Sequence, residues 1–171
     1  MRFALLLCLT LLAACQPESM PTPSATTPST AATPSKAANH LRMMVDGVNW
    51  EADHDIFGAV HPNGYDKAVL VAGSLGPKDG NEQTFNLNLY GIDAPGVISV
   101  QTGNPQQHVA QLANQTPERF LSGGPMGFDM QVEIVDMQAA PTRLRVRFAG
   151  TLMGNDSRAV KITDGEFSYS E

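Results

Sequence analysis

Leu41-Arg42-Met43-Met44-Val45-Asp46-Gly47-Val48-Asn49-Trp50-Glu51-Ala52 reads as a β-hairpin closed by a two-residue turn. Asp-Gly suits that turn because both central residues need positive φ, and the resulting twist matches the strands it joins. Pairing outward from the turn sets Val45 against Val48, Met43 against Trp50 and Leu41 against Ala52. Side chains alternate faces along a strand, so these six share one face, the expected core face, and Arg42 opposes Glu51 on the other. A domain that opens this way is expected to continue as antiparallel sheet.

Period-two patterning does continue. Phe128-Asp129-Met130-Gln131-Val132-Glu133-Ile134 and Arg143-Leu144-Arg145-Val146-Arg147-Phe148 flank Ala139-Ala140-Pro141 and read as a second hairpin. The register expected there pairs Phe128 with Phe148, Met130 with Val146 and Val132 with Leu144 inside. Outside it pairs Asp129 with Arg147, Gln131 with Arg145 and Glu133 with Arg143, so the arginine stripe reads as a solvated face neutralised by its neighbour strand. A third hairpin is expected around Asp164-Gly165, matching Ile162 with Phe167 and Val160 with Tyr169.

Lys67 to Leu75 and Phe85-Asn86-Leu87-Asn88-Leu89-Tyr90 read as strands joined by the polar loop Gly76 to Glu82, and Val97 to Val100 as another after a turn at Gly91 to Gly96. Gln115 to Gly123 has a capping Thr116, Pro117 at the first helical position and Gly123 as terminator, which predicts one or two helical turns. Residues 105–114 receive no assignment. The expected fold is mainly β: an antiparallel β-sandwich or partly open β-barrel of about eight or nine strands with one short helical turn.

Ahead of this domain, Arg2 precedes an apolar run from Phe3 to Leu12 that ends in small residues and Cys15. Ten helical residues reach only about 15 Å, half a bilayer core, so the segment reads as a signal peptide, not a transmembrane span. Residues 16–40 are dominated by Pro, Thr, Ser and Ala and have too little apolar surface to repay ordering. They are expected to form a disordered tether reaching about 25–30 Å as a coil and about 75 Å fully extended. The expected organisation is therefore a signal over 1–14, an anchor and tether over 15–40, and one β domain over 41–171.

Two resemblances bear on this layout. Leu12-Ala13-Ala14-Cys15 resembles the lipobox of bacterial lipoproteins. That resemblance implies cleavage before Cys15, a diacylglyceryl group on its sulfur and an acylated new N-terminus carrying palmitate-type chains. Burial of acyl chains is worth about 0.8 kcal/mol per CH₂, and more than one chain is needed for stable anchoring. Gln16 after the cysteine implies sorting to the outer membrane. Val45-Asp46-Gly47-Val48-Asn49-Trp50-Glu51-Ala52, with Phe148-Ala149-Gly150-Thr151-Leu152 and Ile162-Thr163-Asp164-Gly165-Glu166-Phe167, is similar to the ends of an uncharacterised group of lipoprotein β domains. This second resemblance implies a fold and carries no activity.

Composition excludes several classes. Cys8 and Cys15 are the two cysteines, so after processing the domain offers neither disulfide nor thiolate chemistry. Of 11 Lys and Arg, Arg2 and Lys36 lie outside residues 41–171, and of 17 Asp and Glu, Glu18 does, leaving a net charge of about minus seven. Nucleic acid is not an expected partner.

Asp53-His54-Asp55 with His61 is the best metal candidate, yet along an extended strand the aspartates point away from the histidine unless the segment turns. Asp79-Gly80-Asn81-Glu82 offers oxygen ligands without EF-hand spacing. Ser74 and Ser122 lack the nucleophile-elbow glycines, and His108 has no evident partner. Gly123-Gly124-Pro125-Met126-Gly127 reads as a lead-in to a strand, without a phosphate-cradling pattern. Among Trp50, Tyr65, Tyr90 and Tyr169, Trp50 faces the core and Tyr90 is the better exposed anchor. No catalytic, cofactor or metal residues are expected; Cys15 is the one expected site, for lipidation.

Three functional classes follow. The first is an outer-membrane-anchored periplasmic lipoprotein whose non-catalytic domain binds a protein or wall component. The second is an immunity lipoprotein capturing a basic toxin through its acidic charge. The third is a metal-binding or hydrolytic envelope domain using Asp53, His54, Asp55 and His61.

Overall fold

The opening hairpin forms in the register read from the sequence: Val45 pairs with Val48, Met43 with Trp50 and Arg42 with Glu51, and the Ala52 N–H donates to the Leu41 carbonyl at 2.9 Å. Asp46 and Gly47 take φ of 49° and 81°, as a two-residue turn of this kind requires. Leu41, Met43, Val45, Trp50 and Ala52 are buried, whereas Val48, at the start of edge strand β2, is 69% exposed.

The computed structural model describes residues 39–61 and 67–171. The signal, Cys15, the tether through residue 38 and Tyr65 lie outside them. The strands are β1 (His40–Val45), β2 (Val48–Glu51), β3 (His54–His61), β4 (Ala68–Leu75), β5 (Gln83–Tyr90), β6 (Gly96–Gln101), β7 (Val109–Thr116), β8 (Arg119–Gly123), β9 (Phe128–Ala139), β10 (Thr142–Met153) and β11 (Ala159–Ser170). They form two antiparallel sheets, ordered β2-β1-β11-β10-β9-β6 and β3-β4-β5-β7-β8, which are not closed into a barrel. The mainly β, sandwich-type architecture expected from the patterning is present, with more strands than expected.

The inner faces meet in one apolar core. Phe85 of β5 stacks on Phe148 of β10 across the gap between sheets, with ring centroids 5.0 Å apart, and Trp50 meets Phe85 edge-on at 6.5 Å. Buried aromatic contacts of this kind contribute about 0.5–1.5 kcal/mol beyond their area.

Three local expectations are corrected. Gln115 to Gly123 is not helical: β7 and β8 form a hairpin there, and Thr116, Pro117 and Glu118 make its turn. The cap-like bond exists, since the Arg119 N–H donates to Thr116 Oγ1 at 3.1 Å, but one such bond closes a turn as readily as it starts a helix. Among the described residues the helical turn is a 3₁₀ turn over Gly124–Met126. Residues 105–114 lead into and form most of β7.

The β9–β10 hairpin is slipped by four residues from the expected pairing. Phe148 opposes Val132, Val146 opposes Ile134 and Leu152 opposes Phe128. Both strands run on into a tight turn at Ala139 to Thr142, so no loop intervenes. An even slip preserves the faces, and Phe128, Met130, Val132, Leu144, Val146 and Phe148 are all buried as expected. Arg147 now faces Glu133 at 3.6 Å, and Arg143 reaches Asp136 at 2.7 Å, so the stripe is neutralised by its neighbour strand through other partners.

Asp164-Gly165 is no hairpin turn. β11 runs straight through it between β1 and β10, and the ladders on both sides shift by one residue there, between Arg42 and Met44 and between Phe148 and Gly150. Asp164 adopts φ 53°, the left-handed conformation that makes Asp-Gly a turn signal and serves equally in a bulge. Gly165 is required for space: a Cβ there would lie 2.4–2.5 Å from the Phe148 ring and carbonyl.

Candidate functional site

The start of β3 and the β4–β5 loop bring together most of the charged residues singled out in the sequence. Because β3 pairs with β4 and β4 with β5, the loop from Gly76 to Glu82 is delivered beside His54, whose Cα partner is Ser74. Asp55 takes φ 51°, and the ladder shifts between His54 and Phe57. The segment therefore turns at this point, and the alternation that would separate His54 from Asp55 is broken.

His54 is the centre of the cluster. Its Nδ1 donates to Asp53 Oδ1 in a short bond, and its Nε2 donates to Glu82 Oε1 at 2.7 Å, with Asp55 Oδ2 3.9 Å away. The two bonded carboxylates, Asp53 first and then Glu82, hold the imidazole above its ordinary pKa and favour the imidazolium. The His54 bond and the Gly76 N–H, at 3.3 Å, hold the Asp53 carboxyl below its ordinary value. Lys78 Nζ reaches both Asp55 oxygens at 2.9 Å and lowers that carboxyl in the same way.

The loop is fixed from several sides. Asp79 Oδ1 accepts from the Asn81 N–H at 2.7 Å, and Asn114 Nδ2 on β7 donates to the Glu82 carbonyl at 2.9 Å. The next residue, Gln83, accepts from Trp50 Nε1 at 2.9 Å, tying the site to the core. His54 and Glu82 are partly buried, Asp53 and Asp55 exposed. One donor atom from each of His54, Asp55 and Glu82 lies within 4.8 Å of the other two.

His61 does not join them. It sits exposed at the far end of β3, opposite Ala68, about 23 Å along the strand. Glu82 and Lys78, which the sequence did not connect with His54, do join. The signal was the β3-β4-β5 meander itself, since antiparallel neighbours put the second connection beside the start of the first strand.

The remaining candidates are taken up by the scaffold. Ser74 Oγ and Thr84 Oγ1 lie 3.2 Å apart at one end of β5. His108 lies at the other end, about 20 Å away, where its Nδ1 accepts the Tyr90 N–H at 3.0 Å. Burial lowers the His108 pKa, so the ring is held neutral with its proton on Nε2. Ser122 is fully buried on β8. Trp50 is buried as expected, Tyr90 is 37% exposed, and Tyr169 packs against the core margin beside Phe167. Comparison with protein-family models, curated proteins and solved structures finds no match for the chain.

Proposed function

We propose that the chain is a lipoprotein of a bacterial cell envelope, anchored through acylated Cys15 at the outer membrane and facing the periplasm. Its β domain is a non-catalytic module that binds a protein or wall component. The observation that carries this reading is Leu12-Ala13-Ala14-Cys15 closing a short apolar segment, followed by the Pro/Thr/Ser/Ala-rich stretch to residue 40. The binding role draws support from the two sheet margins: Val97 on edge strand β6 and Phe120 on edge strand β8 are 73% and 57% exposed. The outer edge of β6, which carries Val97, is the kind of surface on which partner segments dock, whereas that of β8 is already met in part by Gly154 and Asn155. The use of Ser74 and His108 in hydrogen bonds of the scaffold supports the non-catalytic part.

Metabolic labelling with palmitate, followed by separation of inner and outer membranes, tests the anchor. Labelled protein in the outer-membrane fraction, lost from both label and membrane in Cys15→Ser, is the expected result. An unlabelled protein whose fractionation is unchanged by Cys15→Ser overturns the reading. The excess of acidic residues favours one second reading, neutralisation of a basic antibacterial toxin. Deletion of the gene would then sensitise cells to attack by toxin-secreting neighbours, and unchanged survival dismisses it.

A further inference from the structure

We propose that His54, Asp55 and Glu82 form a binding site for one divalent first-row transition ion, with zinc as the reference, ligated by Nε2 of the histidine and one oxygen from each carboxylate. This goes beyond the envelope reading and does not depend on Cys15.

Three observations carry it. The three donor atoms already converge to within 4.8 Å of one another, and zinc takes such ligands at about 2.0–2.2 Å, so rotation of the two carboxylates can bring all three to one ion. Asp53 accepts from His54 Nδ1, which is the outer partner a metal-bound histidine requires: it fixes the ring and turns Nε2 toward the two carboxylates. The cluster also holds a cation beside one of the proposed ligands: the Lys78 ammonium lies 2.9 Å from both Asp55 oxygens. A bound ion would displace it, and the Lys78 side chain, 64% exposed, is free to swing away.

The chemistry of the set narrows the ion. One imidazole and two carboxylates, without sulfur, suit borderline divalent ions over soft monovalent copper. Three protein ligands leave a further coordination position for water. The fold supplies the rigidity, since β3 holds His54 and Asp55, while Asn114 and the Asp79 turn hold Glu82 from the other side.

The test uses the full chain carrying Cys8→Ser and Cys15→Ser, so that no thiol competes, stripped with chelator and titrated with zinc chloride by calorimetry. One ion per chain is the expected stoichiometry. His54→Ala and Glu82→Gln should each abolish saturable binding, and Asp53→Asn should weaken it about 10–100-fold as a positioning residue. Lys78→Met should tighten it, because a competing cation is gone. Thermal melts of the metal-free variants establish that each is folded, and the near-isosteric Glu82→Gln serves if His54→Ala is not. No saturable heat below about 1 mM zinc, or equal affinity in His54→Ala and Glu82→Gln, overturns the proposal. Neither result touches the palmitate experiment, so the two readings fail separately.

Discussion

Replacing Phe85 by alanine removes the ring that links the two sheets. Phe85 is fully buried on β5, stacked on Phe148 of β10 and met edge-on by Trp50. Truncating a buried phenylalanine costs about 3–5 kcal/mol, the lost transfer energy plus the cavity left behind. Both neighbours are themselves large and held by the facing six-stranded sheet, which limits collapse, so the expected cost is about 4 kcal/mol, of which about 1 belongs to the stack. With a urea m-value of about 2 kcal/mol/M, the midpoint should fall by about 2 M. Trp50, the one tryptophan, reports unfolding beside the lesion, and far-ultraviolet circular dichroism provides an independent probe. Phe85→Leu, which keeps most of the volume and loses the stack, should cost less than about 1.5 kcal/mol. A double-mutant cycle of Phe85→Leu with Phe148→Leu should return a coupling of about 0.5–1.5 kcal/mol. A Phe85→Ala cost below about 1.5 kcal/mol, or no coupling in the cycle, would refute the claim that this contact joins the sheets.

Other outcomes follow from the same geometry. Gly165→Ala should destabilise by about 1–3 kcal/mol in urea melts, because its Cβ would enter the Phe148 ring. The two perturbed histidines tilt the pH dependence of stability in opposite directions. His108, with its folded pKa lowered, contributes stability that is full above its unfolded value near 6.5 and is lost as pH falls through the folded one. His54, with its folded pKa raised, contributes stability that is full below about 6.5 and is lost as pH rises through the folded one. In metal-free buffer, His108→Asn should therefore flatten the decline on acidification below about 6.5, and His54→Gln the decline above about 6.5; stability profiles on both sides of neutrality check both. Asp46→Asn should keep the turn but lose the 2.9 Å charge pair with mostly buried Arg119, lowering stability by about 1 kcal/mol in the same assay.

The faces of the strands were legible in the sequence; their pairings were only partly so. Alternation fixes which side of Phe128 to Ile134 is buried whatever the neighbour strand, because any even slip leaves that answer unchanged. The register of β9 against β10 depends on where the turn closes, and the alternating Val135 to Ala139 stretch can continue a strand as well as leave it. Thr116-Pro117 likewise fits a helix start or a hairpin turn, and the choice falls to tertiary pairing with β8. For the site, His54 and Asp55 were visible as ligand types, but their convergence needed a left-handed residue that aspartate adopts without announcing it. Glu82 was beyond reach for a different reason, since its approach to His54 is set by the order of strands in the sheet.

The extra residue in β11 has a consequence for how this chain tolerates length changes. Val160 and Ile162 point inward on even numbers, Phe167 on an odd one, and Asp164 alone absorbs the change of phase. Deleting it would leave one uninterrupted in-out rhythm from Ala159 to Ser170, with Val160, Ile162, Phe167 and Tyr169 all still on the core side. A deletion at Lys161 or Ser168 would instead act as a frameshift, moving the side chains on one side of it to the other face. What Asp164 contributes is a local bend and added twist in a twelve-residue central strand.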